Sequence, residues 1–399
     1  MCPKKLHAAS NPEAALTGMN TGRQHIAIYI YGPSGGGATR RTLTLADGFA
    51  RRGHRVDLVV VDAGGALAGE LPDGVRRVVL ESLLIRLAGK KRKRRIKASG
   101  FALARYLWRE RPDVLLSAAN HVHLTAVIAV RLAFAPVRVV LRVSNHLTGS
   151  HLGGNERARP FRLKFARRVY SRADAAIAVS QGIADDLVEH TTLSRQRVSA
   201  VTNPTYTPDI ESAAVAPLDH PWLSPGAPPL LLGAGRLAQA KDFATLLRAF
   251  ARLRARRSVR LMILGEGGKR RELEQQMREL RIEADVELHG FVDNPFAWMS
   301  RASLFVLSSA WEGSPGVLVE AMACGCPVVS TDCPSGPDEI LATGRYGRLV
   351  PVGDDAALAD AMAATLDMKT DREALRARAR EFDVERAVTR YLDVLLRGG

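Results

Sequence analysis

The chain of 399 residues is too long for one ordinary hydrophobic core and suits two domains of roughly 150 to 200 residues each. With 46% hydrophobic and 25% charged residues it is neither disordered nor fibrous, and no apolar stretch reaches the roughly 20 residues that cross a bilayer. A net charge of +16, from 57 Lys and Arg against 41 Asp and Glu, predicts attraction to phosphorylated ligands, anionic lipid or nucleic acid, although 6% aromatics is thin for stacking on single-stranded bases.

Residues 1–23 are polar and proline-containing, lack the apolar core of a secretory signal, and read as a disordered tail. From Gln24 short apolar runs alternate with amphipathic stretches, the pattern of βαβ units and a parallel sheet. Strands are expected at His25–Tyr31, Val56–Val61, Val114–Ser117, Val137–Val143, Ala175–Val179 and Val198–Val201. Helices are expected between them at Thr39–Arg52, Ser99–Arg111, Val122–Phe134, Arg157–Arg172 and Ile183–Glu189. The stretch to residue 229 is rich in proline, which neither continues a helix nor joins a central strand, so 205–229 reads as the interdomain connection. Alternation restarts with strands Leu230–Leu232, Leu261–Leu264, Val286–Leu288, Leu304–Leu307, Val328–Ser330 and Arg348–Val350. A helix near Asp242–Arg256 shows one apolar face of Phe243, Leu246, Leu247, Phe250 and Leu253, and another closes the chain at Val384–Leu396. The fold class is therefore α/β: two Rossmann-like, doubly wound domains (24–204 and 230–380) facing each other across a cleft.

Three loops carry chemistry. Gly32-Pro-Ser-Gly-Gly-Gly-Ala-Thr39 follows a strand and opens a helix, but Ala38 stands where a P-loop has its phosphate-neutralising lysine. Three consecutive glycines, Gly35, Gly36 and Gly37, exceed what a turn requires and favour close approach of a ligand phosphate or sugar. Gly233-Ala-Gly235-Arg-Leu-Ala238 has dinucleotide-like spacing without the acidic residue about 20 positions later that would hold a ribose. Its cations, Arg236 and Lys241, lie just beyond a strand's carboxyl end, where they either neutralise a pyrophosphate or form a solvated basic turn. In Ser309-Ala-Trp-Glu312-Gly-Ser-Pro-Gly-Val-Leu-Val-Glu320, the loop before the helix presents free N–H groups to an anion. Glu312 and Glu320 flank it, as a capping and a surface acid or as acceptors for hydroxyls on either side of a diphosphate.

Glu312-x7-Glu320 closely resembles the signature of retaining, nucleotide-sugar-dependent glycosyltransferases of the GT-B fold, family 4 (glycosyl transferases group 1). The resemblance runs from about residue 25 to the C-terminus and includes Gly235-Arg236-Leu with Lys241, Leu264-Gly-Glu-Gly267, His289-Gly-Phe291, Met322-Ala-Cys-Gly-Cys-Pro-Val-Val329 and Cys333-Pro-Ser-Gly-Pro-Asp-Glu-Ile340, the last like members that build bacterial surface polysaccharide. It implies that Arg236 and Lys241 bind the donor diphosphate, Glu320 the ribose and Glu312 the transferred sugar. It further implies that the backbone of Gly316, Val317 and Leu318 meets phosphates or sugar, that Gly290, Phe291 and Val292 line the base pocket, that Gly35 to Gly37 approach the diphosphate, and that residues 381–399 pack back on the N-terminal domain. Relatives place a histidine against the sugar at the end of the fifth strand; here Asn145 and His146 are the candidates, one or two positions late. Asp338 stands where relatives often carry a basic residue.

The implied reaction moves a hexose or N-acetylhexosamine from a UDP-sugar to a lipid-linked or polysaccharide acceptor, with retention and with no metal or other cofactor required. Cys324, Cys326 and Cys333 lack zinc-like pairing and, with Cys2, read as reduced thiols of a cytoplasmic protein; there is no Asp-x-Asp to hold a divalent ion. The basic run Lys90, Lys91, Arg92, Lys93, Arg94, Arg95 and Lys97, followed by Trp108, is expected to touch the anionic inner face of the cell membrane; a solvated basic loop is the plainer alternative. Two rivals are an epimerase or hydrolase of the same fold and a nucleic-acid-binding protein, which would account for the charge but not for the Glu312/Glu320 loop.

Overall fold

The computed structural model describes residues 22–33, 36–65, 67–147 and 159–397; Gly35, most of the 1–23 tail and Cys2 lie outside them. The first half is a sheet of seven strands: β1 (His25–Ile30), β2 (Arg55–Val60), β3 (Val75–Val79), β4 (Val114–Ser117), β5 (Arg138–Val143), β6 (Ala175–Ala178) and β7 (Val198–Ala200). The second has six: β8 (Leu230–Ala234), β9 (Arg260–Leu264), β10 (Val286–Gly290), β11 (Leu304–Leu307), β12 (Val328–Thr331) and β13 (Arg348–Val350). Their orders are β3-β2-β1-β4-β5-β6-β7 and β10-β9-β8-β11-β12-β13, with every pairing parallel.

Helices cover both faces of each sheet, so the strands are buried on both sides and read as unbroken apolar runs. In β1 the residues alternate between two cores: Ala27 and Tyr29 face one, Ile26, Ile28 and Ile30 the other. In both sheets the strand order reverses beside the first strand, between β1 and β4 and between β8 and β11. Each reversal opens a crevice at the strands' carboxyl ends.

The sequence reading missed β3. Its Val-Arg-Arg-Val-Val run lies on a sheet edge and carries charge outward, which hides the strand pattern. Arg76 from β3 grips the fully buried Asp57 through Nε (2.8 Å) and Nη2 (2.5 Å), and Tyr106 and His25 add hydrogen bonds of 2.6 and 2.8 Å. Burial alone would raise the Asp57 pKa, but these donors outweigh it and hold the carboxyl well below its usual range.

The stretch 205–229 is also more ordered than its prolines suggest. Pro208 caps a helix, Asp209–Ala214, whose Ile210 and Ala214 enter the core of the second half beside Trp298 and Met299. Proline is tolerated at a helix start because no N–H is needed there, so here it marks a beginning.

The chain crosses between the halves twice, and the crossings lie side by side. The N–H groups of Thr205 and Tyr206 donate to the Phe382 carbonyl at 3.2 and 3.0 Å, and the Val384 N–H donates to Tyr206 at 3.1 Å. The last helix, Val384–Leu395, then packs on the first half, burying Val388, Tyr391 and Leu395 completely among Ile26, Ile28 and Phe49. Each such side chain contributes about 1.5–3 kcal/mol.

Arg142 on β5 is the largest fully buried side chain and meets no carboxylate among the described residues. Its Nε donates to Tyr391 Oη at 3.0 Å, and Nη2 donates to Asn203 Oδ1 at 2.6 Å. Asn203 Nδ2 in turn donates to the Ser314 carbonyl of the second half at 3.3 Å. Arg142→Met strips donors from several buried acceptors and should cost about 2–4 kcal/mol in urea unfolding, whereas Tyr391→Phe, which removes one bond, should cost about 1 kcal/mol. Equal losses would contradict this account of the joint.

Candidate active site in the cleft

Lys241 is placed by backbone constraints at the end of β8. A turn over Gln239–Lys241 leads to Asp242, which takes a left-handed conformation and accepts Thr245 N–H at 3.3 Å to cap the helix Phe243–Arg254. The Lys241 carbonyl accepts from Ser308 Oγ at 2.9 Å, and the Ala310 N–H donates to the Ala240 carbonyl at 2.9 Å, which pins this turn to the end of β11. Gly235, at φ 149°, lies directly under the lysine stem; a Cβ there would come within 2.9 Å of Lys241 Cε. The Lys241 ammonium meets Glu312 Oε1 at 2.5 Å, and Ser309 Oγ donates to the same oxygen at 2.6 Å. Two sequence-selected residues 71 positions apart thus form one partly buried pair. Arg236 projects into solvent with no partner among the described residues.

The helix Gly316–Ala323 starts beside this pair, with Pro315 as its N-cap. The Leu318 N–H donates to the Pro315 carbonyl at 3.0 Å, and its side chain is fully buried. The Leu318 amide is thus engaged in the first helical turn, while the N–H groups of Gly316 and Val317 are open among the described residues. Gly290 ends β10, two strands from β8, with Phe291 70% exposed and Val292 partly buried beside it.

The opposite wall comes from the first half. Gly36 (φ 123°) and Gly37 open the helix Gly37–Arg51, and a Cβ on either would meet nothing within 4 Å. From the same helix Arg41 crosses the cleft and pairs with Glu320. Sequence reasoning missed Arg41; a basic residue on the helix opened by the glycine loop was the available signal. Glu339 was missed too: its carboxylate oxygens accept the first N–H groups of the helix Gln181–His190, from Gln181 at 2.9 Å and Gly182 at 3.0 Å. A carboxylate on a helix N-terminus is a favoured arrangement. Gly313 lies so close to the other half that a Cβ there would be 1.9 Å from the Ser144 carbonyl.

At the end of β5, Asn145 is exposed and its carbonyl accepts from Asn120 Nδ2 at 3.5 Å. His146 Nδ1 faces Asp186 at 3.5 Å, and its buried Nε2 finds no partner among the described residues.

The basic run is a helix, Arg92–Ala98, not a loop. Lys90, Lys91, Lys93, Arg94 and Lys97 are exposed; Arg95 turns inward and donates to Asp62 Oδ2 at 2.8 Å, and Arg92 stacks 4.9 Å over Tyr31. The preceding short helix, Leu83–Leu87, exposes Leu83, Leu84 and Leu87, and the following one exposes Phe101 and Trp108.

Cys324, Cys326 and Cys333 are buried free thiols, and burial raises the pKa of Cys324 and Cys333 to about 12. His220, Glu287 and His289 converge as well, with donor atoms within 4.8 Å of one another. His220 Nδ1 accepts the Trp222 N–H at 3.2 Å, so in the neutral ring Nε2 keeps its proton and donates to Glu287 at 3.3 Å. His289 Nδ1 meets the other Glu287 oxygen at 2.6 Å.

Two parallel, doubly wound halves with facing crevices define the fold of the two-domain GT-B glycosyltransferases. HepE of Anabaena, solved with UDP and glucose, has this fold at a TM-score of 0.74 and 20% identity over 94% of this chain and 99% of its own. Residues 35–207 match the model for Glycosyltransferase Family 4 and residues 228–368 that for Glycosyl transferases group 1. The chain belongs to glycosyltransferase family 4. One relative, the N-acetylgalactosamine-N,N'-diacetylbacillosaminyl-diphospho-undecaprenol 4-alpha-N-acetylgalactosaminyltransferase of Campylobacter jejuni, is 32% identical over 56% of this chain and 61% of its own length. A second transferase of that organism, acting on GalNAc-alpha-(1->4)-GalNAc-alpha-(1->3)-diNAcBac-PP-undecaprenol, is 26% identical over 93% of this chain and 98% of its own.

Gly313→Ala is expected to push the halves apart at Ser144 while leaving each core intact, with small-angle scattering showing a larger radius of gyration and circular dichroism unchanged. An unaltered radius would refute the contact. Native protein treated with iodoacetamide at pH 8 should leave Cys324, Cys326 and Cys333 unlabelled in peptide mass spectra until denaturant is added, because a pKa of about 12 leaves almost no thiolate at that pH.

Proposed function

We propose that the protein transfers a hexose or N-acetylhexosamine from a nucleoside diphosphate, UDP in the first instance, to a lipid-linked or growing bacterial surface polysaccharide, with retention of anomeric configuration. The observation that carries this reading is the Lys241–Glu312 pair at the β8/β11 crevice, beside the open amides of Gly316 and Val317. A diphosphate entering there replaces Glu312 as the partner of Lys241, and Arg236 is free to join it. The released Glu312 and Glu320 then accept hydroxyls of sugar and ribose. When the glycosidic bond breaks, charge builds on the departing diphosphate. Lys241 and the helix amides already border that place, and the exposed Arg236 can turn to it, so little reorganisation of the loop is needed as the charge develops. The departing β-phosphate takes the acceptor's proton on the same face, which is consistent with retention. Arg41 must leave Glu320 for the ribose to bind and can then turn to the phosphates. His146 Nε2, which has no hydrogen-bond partner among the described residues, is the candidate group for the sugar.

The names of the Campylobacter relatives support a lipid-linked acceptor. Among the described residues no helix is long and apolar enough to cross a membrane. The exposed Leu83, Leu84, Leu87, Phe101 and Trp108 beside five outward-facing cations instead suit peripheral contact with the inner face of an anionic membrane.

Lys241→Ala should lower the rate of UDP release in the presence of acceptor by about 10²- to 10³-fold, as loss of a charge-stabilising donor does; turnover within threefold of wild type would remove Lys241 from this role. Changing Lys90, Lys91, Lys93, Arg94 and Lys97 to Gln should release the protein from phosphatidylglycerol vesicles in a flotation assay. Undiminished flotation would end the membrane reading.

A further inference from the structure

Near the joint the first half buries a carboxylate that has no part in the reaction above. Asp186 lies on the helix Gln181–His190 and is 6% exposed, whereas its neighbour Asp185 faces solvent and pairs with Arg195 at 2.6 Å, as a surface acid does. The other buried side chains of this helix, Ile183, Ala184 and Leu187, are apolar, and an apolar residue would pack at 186 without the cost of burying a charge. The carboxylate instead faces the loop after β5. Its Oδ2 accepts the Leu147 N–H at 2.6 Å, and its Oδ1 faces His146 Nδ1 at 3.5 Å. His190, one turn on, also approaches Oδ1, at 3.4 Å, but its Nδ1 has a closer acceptor in the Asp186 carbonyl at 3.1 Å.

A carboxylate only accepts, so a ring nitrogen turned toward it carries a proton. In the neutral His146 ring that puts the proton on Nδ1 and leaves Nε2 a bare acceptor. Nε2 is buried and has no hydrogen-bond partner among the described residues. It lies where the halves meet: a Cβ added to Gly182 would be 3.7 Å from Nε2 and 2.8 Å from the Ser335 Cβ of the second half. Ser335 holds a left-handed backbone, φ 62°, and its Oγ donates to the carbonyl of Gly313, next to Glu312, at 3.3 Å. The bare nitrogen thus sits beside the loop that carries Glu312, under a cover supplied in part by the opposite half. A buried acceptor without a donor costs free energy, which a hydroxyl placed there would recover.

We propose that Asp186 is a positioning residue for sugar transfer: it fixes the His146 ring and its tautomer, so that Nε2 accepts a hydroxyl of the transferred sugar when the halves close over the donor. This rests on the reaction proposed above and adds to it the group that orients His146. The sugar enters with Ser335 drawn away from Gly182, and closure brings hydroxyl and nitrogen together. Glu339 of the second half accepts the Gln181 and Gly182 N–H groups at 2.9 and 3.0 Å, so the helix that carries Asp186 is itself held in the closed joint.

The test reads the tautomer first. Long-range nitrogen-15 to proton correlation spectra of the histidine-labelled full chain at pH 8 should show a proton on His146 Nδ1 and none on Nε2, the signal being identified by its loss in His146→Gln. Asp186→Asn keeps an oxygen for the Leu147 N–H but turns an amide donor to the ring, and should move the proton to Nε2. A wild type protonated on Nε2 alone overturns the proposal, even where Asp186→Asn does not fold; so does an unchanged tautomer in Asp186→Asn. Turnover is read as UDP release from whichever of UDP-glucose, UDP-galactose and their N-acetylated forms reacts fastest. In Asp186→Asn kcat/KM should fall about tenfold, as for the loss of roughly one hydrogen bond. UDP affinity should stay within twofold, because UDP brings no sugar to His146. Made in a His146→Gln background, the same substitution should change kcat/KM less than twofold. An equal tenfold fall there, or a matching fall in UDP affinity, would mark Asp186 as merely structural and overturn the proposal. The expected spectra with no UDP release from any of the four donors would instead sink the proposed reaction and leave the coupling of Asp186 to His146 standing.

Discussion

The arrangement depends on a buried guanidinium. Arg142 stands buried on β5 of the parallel sheet and satisfies itself with neutral oxygens, from Tyr391 on the last helix and Asn203 at the first crossing. A buried charge without its hydrogen bonds is costly, so the last helix and the crossing have to stay where those oxygens are. Asn203 passes the constraint to Ser314, in the loop that ends at the open amides of Gly316 and Val317. The geometry of one half is thus tied, through three side chains, to the Gly313–Gly316 loop of the other.

Across the joint the site is built from charges that neutralise one another. Lys241 meets Glu312, Arg41 meets Glu320, and Glu339 caps a helix of the opposite half. These pairs are partly buried, and a partly solvated ion pair gains little net free energy because desolvation offsets its attraction. In the proposed reaction, an incoming diphosphate with two hydroxyl-bearing rings offers each member a stronger or better-matched partner. These same pairs therefore suit exchange to a ligand.

The helical hairpin before β4 shows how one charged run divides its labour. Helical spacing sends Arg92 and Arg95 to one side and Lys93, Arg94 and Lys97 to the other. Arg92, itself exposed, meets the Tyr31 and His121 rings and Arg95 a carboxylate and a carbonyl at strand ends; the other cations lie next to exposed leucines. A net charge of +16 is thereby concentrated, in part, on a face that also carries apolar side chains, which solubility alone does not call for.

By itself the sequence determined the local elements and marked the glycine- and proline-rich loops that end at the crevices. Continuous apolar runs placed Val114–Ser117 and Leu304–Leu307 to the residue, because strands buried on both faces admit little else. Glycines and prolines marked the crevice loops, since few other residues adopt those backbones. Only the tertiary structure decided which charge meets which. Arg41 and Glu320 are 279 positions apart, Lys241 and Glu312 are 71, and nothing local encodes such pairings. β3 and the helix Asp209–Ala214 were hidden for the same reason: the Asp57 carboxylate that Arg76 answers and the core that receives Ile210 are supplied by other parts of the chain.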